Sequence, residues 1–204
     1  MRKNNYSGLF VAFDGPNGVG KSTLIEHIQT DLAEKGMNVW VTKEPTNTQL
    51  GNFTRQIAET LGSECLTCLV AADRYQHLSN EIIPNLEEKQ VILTDRYILS
   101  SLILQRMDNV DVDFILATNE NIILPDIQIV VTAGQDVIQA RLNTRGQLTR
   151  FEQGKKTSEE LYFLKEGAEI LKKLGVEIIV IENSGDLSAN VSAITKRIQK
   201  AVKQ

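Results

Sequence analysis

The sequence predicts an α/β fold, a five-stranded parallel sheet covered by helices on both faces, and three observations carry that prediction. Short runs rich in apolar and β-branched residues recur at 9–13, 39–42, 91–94, 127–132 and 177–182, too continuous in apolar character for a sheet with one wet face. Between them lie stretches whose apolar residues return every three or four positions, as on one side of a helix. A glycine-rich loop joins the first run to the first helical stretch. Parallel strands need helix-length crossovers, so this alternation is that of a parallel sheet between two helical layers.

In chain order, the run 9–13 leads through the glycines to a helix on which Leu24, Ile25, Ile28 and Leu32 share a face. Gly36 is placed to end this helix, and the strand 39–42 that follows closes at Glu44-Pro45. A helix over 50–61 comes next. Over 66–86 the residues Ala71, Tyr75, Leu78, Ile82 and Leu86 recur at spacings of four and three. They predict one long helix with a single buried stripe, kinked near its end by Pro84. Two more helices are read from Leu161, Leu164, Ala168, Leu171 and Leu174 and from Leu187, Val191, Ile194 and Ile198. No linker or repeat divides the chain, so 1–204 is expected to be one domain, with the polar, glycine-containing stretch 143–156 as a lid.

Composition narrows the function. The 204 residues are 42% hydrophobic and 24% charged, with a formal net charge of -4. That supplies no basic field for nucleic acid or an anionic membrane surface. The N-terminal apolar stretch is short and runs into the glycine loop, unlike a secretory signal or a membrane span, so a cytoplasmic protein is expected. Cys65 and Cys68, the two cysteines, make no disulfide framework, and no second Cys or His pair completes a zinc site.

Residues 15–22 read GPNGVGKS, the G-x-x-x-x-G-K-[ST] pattern of a phosphate-binding loop, and they lie where it works, between a buried strand and an amphipathic helix. Gly15, Gly18 and Gly20 let the backbone curl around Pro16, Asn17 and Val19 so that successive N–H groups point inward, and the helix N-terminus adds its dipole. Lys21 is expected to reach the β and γ phosphates of ATP and Ser22 to hold Mg2+, with Thr23 as the neighbouring hydroxyl. Such a loop does not choose among kinases, GTPases and motors.

Four further clusters point to the acceptor. Lys43-Glu44-Pro45 and Asp95-Arg96-Tyr97 follow the second and third strands, and strand C-termini line the ligand crevice of a parallel sheet. Asp95 suits magnesium, Arg96 suits a phosphate gripped by two N–H groups, and Glu44 or Asp14 suits a base for a hydroxyl acceptor. In AADRYQH, Val70, Arg74 and His77 recur at i, i+4 and i+7 and form a stripe beside the buried face, with Arg74 a candidate reader of the acceptor base. In NTRGQLTRFE, Arg145 and Arg150 are placed for a lid to bring onto the transferring phosphoryl group.

The ordered series FDGPNGVGKST, KEP, Arg55, AADRYQH, DRYILSSLILQ, PDI and TRGQLTRFE resembles the thymidylate kinase family along nearly the whole chain. The resemblance implies the P-loop kinase arrangement of the sheet, a homodimer, ATP with Mg2+, and phosphorylation of dTMP. It implies that Arg55 and Arg96 hold the acceptor phosphate, that Arg74 faces the base, that Ser101 and Gln105 line its pocket, and that Arg145 and Arg150 are the lid arginines. The chain departs from the family pattern at Asn17, where the family carries a carboxylate, and at Val70, where it carries an aromatic residue. It departs again at Leu104, where a tyrosine is usual, at Thr46-Asn47, which replaces a glycine pair, and at Thr149, which replaces an aspartate. These changes fall where base and sugar are expected, or beside the lid. A deoxynucleoside kinase, or a nucleotide-binding accessory protein with weak turnover, remain the alternatives.

Overall fold

The computed structural model describes residues 1–143 and 157–202. Five strands, β1 (Leu9–Asp14), β2 (Val39–Lys43), β3 (Val91–Asp95), β4 (Ile127–Thr132) and β5 (Glu177–Glu182), form one sheet in the order β2-β3-β1-β4-β5. All four pairings are parallel. The expected strands are all present, each within a residue of its expected end.

Alternation along the strands assigns side chains to two cores. Phe10, Ala12, Ile92 and Val130 point to one face, where they meet Leu78, Ile82, Leu86, Leu99, Leu102 and Leu171 from helices. Val11, Phe13, Leu93, Ile129 and Val131 point to the other, against Leu24, Ile28, Leu32, Ile138, Ile194 and Ile198. Successive strand residues face opposite ways, so burial of both sets requires helices on both sides.

The second face is built by α1 (Lys21–Glu34), α7 (Gln135–Asn143) and α9 (Leu187–Val202). Gly36 adopts φ 76 just beyond α1, and its N–H donates to the carbonyl of Ala33 at 2.9 Å, a helix stop in the left-handed region that glycine enters freely. The first face carries α3 (Ser63–His77), α4 (Ile83–Glu87), α5 (Ile98–Met107), α6 (Val112–Thr118) and α8 (Thr157–Lys173).

Two helix expectations are corrected. The helix expected over 50–61 is α2 (Gln49–Ile57), capped at its start by the Thr48 hydroxyl accepting from the Gly51 N–H at 3.2 Å. The expected single helix over 66–86 starts earlier, at Ser63, and is interrupted by a π turn at Leu78–Ile82. Pro84 has no N–H and its ring collides with the carbonyl four residues back, that of Asn80, which lies inside this turn. The backbone adjusts one turn ahead of the proline, while Leu78, Ile82 and Leu86 stay buried.

Ile92 is fully buried in a central strand, whereas Val180 on edge strand β5 is 64% exposed. Urea unfolding is expected to show Ile92→Ala losing about 2–5 kcal/mol and Val180→Ala losing less than about 1 kcal/mol.

Candidate active site

The C-terminal ends of β1, β2 and β3 lie side by side, with Phe13 opposite Asp95 and Asp95 opposite Lys43. The glycine loop leaves this edge and returns as α1. Gly15 has φ 154, and a Cβ there would stand 2.0 Å from the Val131 carbonyl oxygen. Only glycine lets the loop pass β4 so closely. The loop is anchored at buried Val19, whose carbonyl accepts from Arg141 Nη1 at 3.0 Å and Asn183 Nδ2 at 2.8 Å.

Lys21 heads α1, and its Nζ donates to the carbonyls of Gly15 and Pro16 at 2.9 and 3.0 Å. Burial, and then the charge of Arg96, lower its pKa to about 7. Ser22 Oγ donates to Asp95 Oδ2 at 2.8 Å, while Asp95 Oδ1 is shielded and lacks a hydrogen-bond partner among the described residues. A hydroxyl and a carboxylate with a spare oxygen are hard donors that suit Mg2+, an ion that takes most of its other ligands from phosphate and water. No cluster of three His, Cys, Asp or Glu suited to a metal occurs among the described residues.

Arg96 sits at φ 75, a left-handed conformation that is uncommon for a residue other than glycine and is held here by its N–H donating to the Phe13 carbonyl at 2.8 Å. Its Nη2 donates to Asn17 Oδ1 at 2.6 Å and its Nη1 to Ser100 Oγ at 3.1 Å. Ser100 in turn donates to Asp14 Oδ1, and Gln128 Nε2 donates to Asp14 Oδ2 at 3.1 Å. Asp14 is fully buried, and burial raises its pKa to about 7 against the opposing pull of Ser100, Arg96 and Lys21.

Two of the cavities at this edge meet at the site. One, of about 270 Å³, is lined by the loop with Ser22, Lys43 and Asp95. The other, of about 390 Å³, runs between α2, α3 and α5, with Leu66, Val70 and Leu104 as its apolar wall. Asn17, Glu44 and Arg96 line both. Arg55, Arg74, Ser101 and Gln105 also line the second, so of the expected acceptor residues within the described chain all but Asp14, which is fully buried, are gathered around one space. Gln105 is buried, with Oε1 unpartnered among the described residues.

Arg74 is no solvated helix arginine. It is 1% exposed, with Nε to Glu44 Oε2 at 2.8 Å, Nη1 to Asn119 Oδ1 at 2.7 Å and Nη2 to Ser101 Oγ at 3.0 Å. Arg55, more exposed, is steered by the carbonyls of Pro45 and Thr46. Thr46 is itself fixed by its N–H and hydroxyl donating to Asp73 at 2.7 and 2.6 Å. Of the expected lid over 143–156, Asn143 is the last residue of α7, and the rest, with Arg145, Thr149 and Arg150, lies outside the described residues.

Sequence reasoning missed Ser100, Asn119, Arg141 and Asn183. Ser100 stands four residues after Arg96, a spacing that would have found it. Asn119 and Asn183 meet partners 45 and 164 residues away, a link without any local signal.

The raised pKa of Asp14 fixes a sign. Between the ordinary carboxylate value, 3.8, and about 7 the folded state holds a proton that the unfolded state releases, so this group's contribution to stability falls as pH rises through that window. In Asp14→Asn the contribution is absent. Denaturation midpoints are expected to show the variant gaining on the wild type from pH 4 to pH 7, with no further gain above.

Comparison with known proteins places the chain in a family. The family model described as Thymidylate kinase matches residues 13–194. A probable thymidylate kinase of Caldivirga maquilingensis is 36% identical over 148 residues, 71% of this chain and 72% of that protein. A thymidylate kinase of Caldicellulosiruptor saccharolyticus is 37% identical over 148 residues, 69% and 72% of the two chains. One from Bifidobacterium longum is 43% identical over 107 residues, covering 48% and 52%. With a phosphate-binding loop, a strand-end Asp-Arg pair and a second cavity at the same edge, the chain belongs to the thymidylate kinase family of nucleotide kinases.

Proposed function

We propose that the chain transfers the γ-phosphoryl group of ATP to a nucleoside monophosphate, dTMP or a related nucleoside or deoxynucleoside monophosphate, giving ADP and the diphosphate. The observation that carries this is the junction of the two cavities at Arg96, Asn17 and Glu44. A donor phosphate on the glycine loop and an acceptor phosphate in the second cavity would meet beside one guanidinium.

An acceptor phosphate oxygen is ionised near neutral pH, so the obstacle is repulsion between anions rather than lack of a base. Lys21 on the donor side and Arg96 between the two phosphates offset that repulsion and hold the groups in line. The oxygen attacks the γ-phosphorus as the bond to the β-phosphate oxygen breaks, and ADP leaves. Mg2+, held through Ser22 and Asp95, would supply further charge neutralisation at the β and γ phosphates.

Leu66, Val70 and Leu104 offer apolar area to the base, Gln105 Oε1 offers it an acceptor, and Arg55 lies at the cavity edge for the phosphate. Arg145 and Arg150 are assigned to the transferring group, and a lid to 143–156, from the sequence pattern and the family likeness; a cytoplasmic setting rests on the sequence alone, and a homodimer on the family likeness alone. No described helix is long and apolar enough to cross a membrane. A hydroxyl acceptor is the weaker reading, because its base would have to be Glu44 or Asp14. Glu44 is tied to Arg74 and His77, and Asp14 to Ser100 and Gln128.

The test is a panel of nucleosides and nucleoside monophosphates with ATP and Mg2+. ADP release with monophosphates only is expected, and turnover of nucleosides only would sink the reading. Arg96→Ala is expected to lower acceptor kcat/KM roughly 100-fold or more while the ATP Kd changes by less than about 3-fold. Leu104→Tyr narrows the sugar end of the cavity and is expected to raise the ratio of deoxyribose to ribose turnover; an unchanged ratio would place the sugar elsewhere.

A further inference from the structure

Behind the junction a chain of buried hydrogen bonds runs from the acceptor cavity to the outer edge of the sheet. Glu44 Oε2 takes Arg74, and Glu44 Oε1 lies 3.1 Å from His77 Nδ1. On its far side His77 Nε2 is 2.8 Å from Thr42 Oγ1, which is 2.9 Å from Glu81 Oε2. His77 is fully buried, and its helix passes into the π turn that carries Glu81.

Proton counting decides the state of this chain. Glu44, paired to Arg74, only accepts, so Nδ1 must carry a proton. Thr42 has one hydroxyl proton. If it went to Nε2, the Thr42 and Glu81 oxygens would face each other at 2.9 Å with no proton between them, unless Glu81 held one. A proton on Nε2 instead lets His77 donate to Thr42 while Thr42 donates to Glu81. With the proton on Nε2 every close contact is satisfied.

We propose that His77 is a doubly protonated positioning residue that, together with Arg74, clamps the Glu44 carboxylate at the junction and so shapes acceptor binding. The charged groups facing it are Glu44 from the β2–α2 loop, Glu81 from the π turn and, beyond Glu44, Arg74 of its own helix. This effect on acceptor binding rests on the proposed function; the protonation state does not.

His27 and His77 are the two histidines of the chain, and His27 is exposed on α1, so imidazole nitrogen NMR of the full chain can resolve both, with His27→Gln making the assignment. At pH 7.5 both His77 nitrogens are expected to carry protons, and one bare nitrogen would overturn the proposal. In Glu81→Gln, a change at a partly exposed site, the amide donates to Thr42 and frees its hydroxyl proton for Nε2. His77 should then become neutral with its proton on Nδ1, and a His77 that stays doubly protonated in this variant counts against the chain. In kinetics, His77→Gln is expected to raise the acceptor KM about tenfold with the ATP KM within about twofold, and equal changes in both, or none, would reduce His77 to a structural role. Glu81→Gln should move acceptor KM in the same direction by a smaller factor, which keeps the test open if His77→Gln folds poorly. A wild type that phosphorylates no monophosphate would defeat the proposed function while leaving the NMR result to decide the state of His77.

Discussion

The site depends on the parallel pairing of β1 with β3. Phe13 stands opposite Asp95, and the Phe13 carbonyl takes the Arg96 N–H at 2.8 Å. That bond holds Arg96 in a left-handed backbone conformation its side chain would otherwise disfavour. With the backbone so turned, the guanidinium meets Asn17 of the glycine loop on one side and Ser100 of α5 on the other. A slip of one residue would exchange every core side chain between the two faces of the sheet, so the buried register and the position of Arg96 are one constraint.

Around that constraint the charges are arranged in opposed pairs. Two cations, Lys21 and Arg96, stand near two carboxylates, Asp14 and Asp95, and burial moves Lys21 and Asp14 toward a common value of about 7. Such opposed shifts are a mark of a functional site. Asp14 lies fully inside the protein while Ser22, Lys21 and Arg96 border the open cavity. Asp14 is linked to Arg96 through Ser100, whereas Asp95 keeps one oxygen without a hydrogen-bond partner among the described residues.

The three inner strands were legible because burial on both faces imposes unbroken apolar runs; the partly exposed edge strands β2 and β5 carry such runs as well, and helical periodicity imposes most of the helices. The phosphate loop was legible because its glycines are needed by backbone geometry, as the Val131 carbonyl beside Gly15 makes plain. The π turn was not, since a proline signals a break without saying how the preceding turn will absorb it. Nor was the burial of Arg74: its partners Glu44, Asn119 and Ser101 come from three other parts of the chain, and a local pattern shows an arginine on a helix and nothing of what receives it. Asn17, read from sequence as a lost charge, makes an interaction of its own, its amide oxygen accepting from Arg96 at 2.6 Å without the full ionic attraction a carboxylate would add.

The central claim is that the two cavities hold donor and acceptor phosphates end to end past Arg96. Its most direct test is calorimetric binding of a dinucleoside polyphosphate that joins adenosine to the preferred acceptor nucleoside through a chain of phosphates. If both cavities are filled at once, this molecule binds about 100-fold or more tightly than ATP alone, and Arg96→Ala removes most of that gain. An affinity no greater than that of ATP would mean that the two cavities are not filled together, and would contradict the account.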